Sequence, residues 1–80
     1  MEAEILQRLR DDEIYYQLTY LGKGTYFIRI LDKKGERITV NRSCVADNLK
    51  NALTKLASEV TCTFAESEFA KWWKEQQENK

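Results

Sequence analysis

This 80-residue sequence has no proline, no histidine, three glycines and two cysteines. Without histidine, the commonest general base near neutral pH is missing, which argues against an enzyme. The cysteines, Cys44 and Cys62, cannot make a four-ligand thiolate metal site within one chain, and neither has an imidazole to activate it. The residues therefore predict no catalytic site, no metal site and no cofactor.

Long apolar runs are also missing. No run approaches the roughly 18 residues that a transmembrane helix needs, and residues 1–11 lack the basic start and apolar core of a signal peptide. We therefore expect a protein of the reducing cytoplasm that makes no membrane contact. In that compartment Cys44 and Cys62 are predicted to be free, mostly buried thiols, and a disulfide between them is the alternative.

What the chain does have is enough apolar sequence for one core. Hydrophobic residues make up 42% of the sequence and aromatic residues 11%. No internal repeat, low-complexity tract or linker divides it. We predict a single small α+β domain over residues 1–80, with a loose polar tail at about 76–80.

The hydrophobic period changes along the first half of the chain. Residues 2–12 place apolar side chains at helical spacing, whereas residues 14–21 and 25–32 alternate at period two and favour strands. A short third strand is predicted at 37–41. Tight, glycine-containing turns separate the three strands, so the sequence predicts an antiparallel β-meander after an N-terminal helix.

Two helices are predicted to follow the meander. Ser43 is expected to cap the first, whose buried face comprises Val45, Leu49, Ala52, Leu53, Leu56 and Val60. Thr63 and Glu66 fit a capping box that opens the second. Residues 60–64 alternate and are β-branched in part, so the sequence predicts either a short fourth strand or an extended connector there.

The predicted sheet has one apolar and one mixed face. The apolar face is expected to lie beneath the helices and comprises Ile14, Tyr16, Leu18, Tyr26, Ile28, Ile30, Ile38 and Val40. The outer face comprises Tyr15, Gln17, Thr19, Phe27, Arg29, Leu31, Arg37 and Thr39. Aromatic rings beside arginines are typical of a binding surface. The alternative is that the first or last helix covers this face, which makes Tyr15, Phe27 and Leu31 a minor core.

The formal net charge is zero, but the charges are unevenly distributed. Residues 1–21 carry five acids and two bases, a balance of −3, whereas residues 22–42 carry six bases and two acids, a balance of +4. The acidic run 11–13 is expected to be a solvated junction. The basic block predicts a rim around the outer face, formed by Lys23, Lys33, Lys34 and Arg42.

Two adjacent tryptophans, Trp72 and Trp73, lie in the last predicted helix. Adjacent helical side chains point about 100° apart, so the two rings face different surroundings. One is expected in the core. The other is expected at a rim, as an interface anchor, because tryptophan is enriched among residues that dominate binding.

The order of one helix, three strands and another helix resembles a double-stranded-RNA-binding domain, with residues 25–60 along its second and third strands and final helix. That family opens its last helix with two lysines that contact RNA, whereas residues 44–48 contain Asp47. The strands also resemble the DNA-binding sheet of integrase arm-binding domains, through Gly-Thr-Tyr at 24–26 and Gly-Glu-Arg at 35–37. Both resemblances imply nucleic-acid binding. Neither covers the last twenty residues, and we assign no family.

The sequence thus predicts a small non-catalytic protein-interaction module, of inhibitor or adaptor type, that binds a partner protein through the outer sheet face. The alternative is a nucleic-acid-binding module that lays the basic meander against phosphates. The neutral net charge and a pI near 6.3 count against that alternative. A homo-oligomer is a further expectation, since an uncovered apolar face favours association. The small size suits an accessory protein of a phage or mobile element.

Overall fold

The computed structural model describes residues 2–35 and 42–78, with Arg42 described by its backbone alone. Its elements, in chain order, are α1 (Glu2–Asp11), β1 (Ile14–Gly22), β2 (Thr25–Lys33), β3 (Arg42–Ala46), α2 (Leu49–Thr63) and α3 (Glu68–Glu78). The strands form an antiparallel sheet in the order β1-β2-β3. The predicted α+β class, with a helix, a three-stranded meander and two helices, is confirmed.

A two-residue turn joins β1 to β2. Gly22 pairs with Thr25, so Lys23 and Gly24 form the loop, with φ angles of 54° and 77°. Two successive positive φ angles are those of a type I′ turn, whose twist matches that of the flanking strands. A Cβ at position 24 would also make a tight contact, 3.3 Å from the carbonyl oxygen of Asp47. Both the positive φ and this close approach therefore favour glycine at position 24.

The third strand that the structure describes, β3, lies in a segment that was predicted to lead into a helix. The predicted strand at 37–41 falls outside the described residues. Ser43 and Val45, which were expected to begin a helix, belong to β3 and pair with Arg29 and Phe27 of β2. The prediction of Val45 in a helical core is therefore wrong. The residues around Val45 remain in β3 as far as Ala46, and α2 begins at Leu49.

The residue that caps α2 is Asn48, not Ser43. The Asn48 side-chain oxygen accepts a hydrogen bond from the backbone N–H of Asn51 at 2.8 Å. The Asn51 side chain in turn donates to Asp47 Oδ1 at 2.8 Å, and this hydrogen bond lowers the pKa of the Asp47 carboxyl. Asparagine and serine are comparable N-caps, so composition alone does not distinguish them.

No fourth strand forms at 60–64, because α2 continues through Thr63. Val60 is completely buried, and the N–H of Phe64 donates to the Val60 carbonyl at 2.8 Å. The β-branched side chains at this end of α2 are weak helix formers, but tertiary burial outweighs such small propensities. Both predictions for residues 60–64, a short fourth strand and an extended connector, are therefore wrong.

Helix α3 begins later than the capping box predicts, at Glu68. The capping box at Thr63 and Glu66 does not form; instead, Ser67 Oγ accepts a hydrogen bond from the N–H of Ala70 at 3.1 Å. The helix continues to Glu78, so most of the predicted loose tail is helical. The last two residues lie outside the described range.

The core lies between the inner sheet face and the three helices. Helix α1 packs on β1, α2 packs on β2 and β3, and α3 packs mainly on α2. The largest fully buried side chains are those of Ile5, Leu9, Ile28, Ile30, Leu53, Leu56, Val60 and Phe69. Ile14 is also buried, and Tyr16, Leu18 and Tyr26 pack against this core. The predicted inward face is thus confirmed as far as residue 30.

The remaining two predicted inward residues, Ile38 and Val40, fall outside the described residues. The shortest extent of the molecule, 18 Å, fits one sheet and one layer of helices. Within the part of the chain that the structure describes, no helix is both long enough and apolar enough to cross a membrane.

Candidate binding surface on the outer sheet face

The strand register arranges the outer-face side chains in rows across the sheet. Residues directly opposite each other on adjacent strands lie close enough for their side chains to interact. The rows are Thr19, Phe27 and Val45; then Gln17, Arg29 and Ser43; and finally Tyr15 with Asp32. The surface therefore has a mainly apolar row at one end, a polar row in the middle, and a tyrosine beside an aspartate at the other end.

Large apolar side chains on this face are exposed. The exposed fractions of Tyr15, Leu31 and Val45 are 48%, 42% and 51%, and Phe27 is partly exposed. Leu31 is unpaired because Tyr15 pairs with Asp32 whereas Tyr16 pairs with Ile30, which makes a β-bulge at this point of β2. Bulges redirect side chains, and here Leu31 lies beside Tyr15 on the accessible side.

No helix or strand among residues 2–35 and 42–78 covers this face. Ile5 and Leu9 of α1, and Phe69 of α3, pack into the core on the opposite side of the sheet. The alternative in which the first or last helix covers Tyr15, Phe27 and Leu31 is therefore wrong. These side chains form an outer surface, not a second core.

Arg29 lies at the centre of the face and is partly exposed. Its row neighbours, Gln17 and Ser43, are neutral, and Gln17 Nε2 donates to Thr19 Oγ1 at 3.3 Å. Among the described residues, Arg29 has no ion-pair partner. Its guanidinium can therefore offer a fork of N–H donors to a carboxylate, a phosphate or a carbonyl of a bound molecule.

Two of the predicted rim lysines face carboxylates of this chain. Lys33 Nζ lies 3.9 Å from Asp12 Oδ1, and both side chains are only 17% exposed. Lys34 Nζ lies 3.3 Å from Glu13 Oε2 in a more exposed pair. The prediction of Lys33 as an open rim residue is wrong, and the positive charge of Lys34 is partly balanced.

Of the other predicted basic residues, the structure describes the side chain of Lys23 but not those of Arg37 and Arg42. Lys23 is exposed at the tip of the β1–β2 turn. Arg37 and Thr39 lie outside the described residues, as does the side chain of Arg42. Of the predicted outer-face residues, the structure brings together six: Tyr15, Gln17, Thr19, Phe27, Arg29 and Leu31.

The tryptophans are both buried. Trp72 and Trp73 are each 7% exposed, so neither is a rim anchor, and this prediction is wrong. Their ring centroids lie 6.0 Å apart, and Trp72 also contacts Phe69 at 5.6 Å. The Arg8 guanidinium of α1 lies 4.6 Å from the centroid of the Trp72 ring, a cation–π contact. Because α3 packs beside both α1 and α2, the two indole directions are both covered.

Sequence reasoning missed the role of Asp12. Its Oδ2 accepts a hydrogen bond from the backbone N–H of Phe69 at 3.1 Å, fifty-seven residues away in the chain. The carboxylate therefore satisfies a free N–H at the start of α3 and favours the helix dipole there. The start of a helix needs hydrogen-bond acceptors for its free N–H groups, and this need is visible in the sequence. The sequence does not show which acidic residue meets it.

The two cysteines are free. Cys44 pairs with Ile28 on the inner side of β3 and is partly buried, and desolvation raises the pKa of its thiol. Cys62 of α2 is exposed. The prediction of free thiols is confirmed, and the prediction that both are mostly buried is wrong for Cys62.

A shallow, mainly apolar depression lies at the edge of the sheet near α1, between side chains of the outer face and side chains of the inner face. Its volume is about 490 Å³, and it is lined by Arg10, Glu13, Ile14, Tyr15, Tyr16 and Leu31. The surface as a whole supplies apolar area from rings and aliphatic side chains and one oriented cation, which suits contact with another molecule. No protein-family model matches this sequence, and comparison with curated proteins and with solved structures gives no match.

Proposed function

We propose that this protein is a small, non-catalytic interaction module of the inhibitor or adaptor type, which binds a partner protein through its outer sheet face. One observation carries the proposal: Tyr15, Leu31 and Val45 are exposed on a face that no other described element covers. Apolar side chains that cluster on one exposed surface mark interaction sites, whereas single exposed ones are ordinary. Two free thiols are consistent with action in a reducing compartment such as the cytoplasm.

The chemistry of the face favours a partner surface that is apolar and carries a carboxylate. Phe27 and Arg29 are two positions apart on β2 and therefore point to the same side of the sheet. An aromatic ring provides rigid apolar contact, and an arginine provides a bidentate pair for a carboxylate. These two side chains are the expected centre of the interface.

Nucleic-acid binding is the weaker alternative. The meander owes much of its basic character to lysines, and Lys33 and Lys34 lie beside Asp12 and Glu13. Balanced charges attract phosphates less than free ones, and affinity for nucleic acid depends on the number of phosphates neutralised. Binding to nucleic acid therefore becomes an outcome that the experiment must detect.

The experiment compares three immobilised proteins in a lysate of the source organism. The first is wild type, and the second is the outer-face variant Phe27→Ala with Arg29→Glu. The control, Leu49→Ala with Lys50→Glu, removes one apolar side chain and reverses one charge on an exposed part of α2. We expect wild type and control to retain the same protein and the outer-face variant to lose it. With that protein purified, the loss should be at least about tenfold in Kd.

Fluorescence of the buried Trp72 and Trp73 reports whether each variant is folded. If the double variant does not fold, Arg29→Glu alone replaces it, because this change leaves the apolar face intact. The proposal is wrong if the purified partner binds wild type and the outer-face variant equally. It is also wrong if only duplex DNA or RNA is retained, with binding that weakens steeply as salt increases.

A further inference from the structure

The two edges of the sheet differ in how they avoid pairing with another strand. β3 is five residues long, and Lys55 Nζ of α2 donates to the Val45 carbonyl at 3.0 Å. β1 is nine residues long and contains no charged residue and no proline. Sheet edges are usually protected by short strands, lysines, prolines or bulges. By these criteria β3 is protected, whereas most of β1 is not.

The two bulges define the regular part of the β1 edge. Leu31 is unpaired at one end and Leu21 at the other, because Tyr20 pairs with Tyr26 whereas Gly22 pairs with Thr25. Residues 16–20 lie between these irregularities. Within residues 2–35 and 42–78, no group outside β2 hydrogen-bonds to the backbone of this segment. Its outward N–H and C=O groups are therefore available to another strand.

The side chains of this segment read almost the same in both directions. The sequence from Tyr16 to Tyr20 is Tyr-Gln-Leu-Thr-Tyr, which is symmetric in polarity about Leu18. In an antiparallel pair of two such strands, each Tyr16 lies opposite Tyr20 of the other copy, and each Gln17 opposite Thr19. Aromatic pairs and hydroxyl or amide pairs are favourable cross-strand neighbours. Tyr20 is 60% exposed in the single chain although its ring lies 5.1 Å from that of Tyr26, so this arrangement would give the ring a second aromatic neighbour.

We propose that two copies of this protein form a symmetric dimer by antiparallel pairing of their β1 strands, centred on Leu18. The pairing forms a continuous six-stranded sheet. The register also matches the faces: residues of the same parity lie opposite each other, so the inner side chains of both copies stay on one side. An uncharged strand pairs with itself without repulsion, and an isologous contact of this kind closes at two subunits.

Helix α1 adds charge complementarity to the same arrangement. It packs on β1, the strand beside the symmetry axis, with Glu2 and Glu4 in its first turn and Arg8 and Arg10 in its last. The axis makes the two α1 helices antiparallel, so the acidic end of one faces the basic end of the other. Glu4 and Arg8 pair with each other at 3.3 Å within the helix, so among the described residues the charges without an ion-pair partner at the two ends are Glu2 and Arg10. Opposite charges at such a contact favour the correct orientation.

The dimer would also enlarge the outer face. Two strands about 30 Å long and one about 16 Å long, spaced about 4.8 Å apart, present roughly 370 Å², whereas a standard interface buries about 800 Å² per partner. The six strands of the dimer present about 730 Å², close to that area, on one continuous surface. This consequence rests on the proposed function, but the dimer itself does not.

Sedimentation equilibrium of two matched variants tests the dimer and its register. Gln17→Glu with Thr19→Glu places like charges opposite each other twice, whereas Gln17→Glu with Thr19→Lys places opposite charges there. We expect wild type, with a chain mass of 9.5 kDa, to approach twice that mass as concentration rises. The first variant should raise the dimer Kd at least about tenfold, and the second should stay within about threefold of wild type.

The proposal is overturned if wild type stays monomeric up to about 1 mM, which corresponds to very weak association. It is also overturned if both variants dissociate equally. Amide hydrogen exchange of the wild-type protein tests the dimer without any variant. Exchange at residues 16–20 should slow as the protein concentration rises. Exchange that does not depend on protein concentration contradicts the pairing. Partner binding by a strictly monomeric protein would leave the proposed function intact and remove only the dimer.

Discussion

The inner and outer faces of the sheet belong to the same strands but have opposite surroundings. Phe27 and Ile28 are consecutive in β2, yet Ile28 is 1% exposed and Phe27 is partly exposed. On β3, Val45 is 51% exposed although it is as apolar as many core residues. The difference shows that hydrophobic composition does not decide burial. The period of two separates the faces, and the helices cover only one of them.

This difference has an energetic meaning. Removing apolar surface from water stabilises a fold by about 25 cal/mol per Å². The inner face gains that stabilisation inside a single chain, whereas Tyr15 and Val45 gain it only when another molecule covers them. The inner face therefore holds the fold together, and the outer face keeps its apolar area for association.

The largest expected effect tests this difference directly. Ile28→Ala should lower the free energy of unfolding by about 2–4 kcal/mol, because it leaves a cavity in a close-packed core. Val45→Ala removes an exposed side chain and should cost less than about 1 kcal/mol. Urea unfolding followed by tryptophan fluorescence measures both. Equal losses would mean that Val45 is covered in solution, and the contrast between the faces would fail.

An intermediate effect is expected at Asp12, which follows α1 and accepts a hydrogen bond from the start of α3. Asp12→Ala removes the acceptor of the Phe69 N–H and the partner of Lys33, and should cost about 1–2 kcal/mol, as does loss of a helix cap. The control is Asp11→Ala. Within residues 2–35 and 42–78, the Asp11 side chain accepts a hydrogen bond only from Gln7 on the helix surface, so its loss should cost under about 0.5 kcal/mol.

Thermal and urea unfolding of the two aspartate variants give the comparison. Asp12→Asn sharpens it, because the amide oxygen can still accept from the N–H of Phe69 but the charge is lost. Its stability should lie between those of wild type and Asp12→Ala. If Asp11→Ala and Asp12→Ala are equally stable, the contact with α3 contributes nothing measurable.

Much of the fold could be predicted from the sequence because buried apolar residues recur with the period of the strand or helix that contains them. The alternation in β1 and β2 separates inward from outward residues, and it is correct from Ile14 to Ile30. In α2 the spacing of Ala52, Leu53, Leu56 and Val60 is that of one buried helical face. In both segments the buried set is large enough to override local propensity.

Boundaries were less predictable where two local patterns compete. The segment 42–46 can begin a helix after Ser43 or end a sheet before Asn48, and both residues are good caps. Only pairing with β2 decides, and that is a tertiary interaction. The tryptophans present the same difficulty. Sequence shows that Trp72 and Trp73 point in different directions, but not that α3 has neighbours on both sides.

The sequence predicts which residues belong to the candidate surface, but it does not predict whether their side chains are exposed. Alternation assigns Tyr15, Phe27 and Arg29 to one face, but the position of the helices decides whether that face is open. The charges are similar: the sequence shows that Lys33 is basic, but its partner Asp12 is twenty-one positions away. Which charges remain available for binding is therefore a property of the fold.

The smallest expected effect concerns Cys44, which lies on the inner side of β3. Because burial raises its pKa, the folded protein holds the thiol proton more tightly than the unfolded chain does. The contribution to stability is therefore present below the unfolded pKa and is lost as pH rises through the folded one. The rate at which iodoacetamide labels Cys44 should rise at a higher pH in the folded protein than in urea, because only the thiolate reacts. Mass spectrometry of the labelled chain resolves Cys44 from the exposed Cys62. A Cys44 labelling profile unchanged by urea would place this thiol in water and remove it from the inner face.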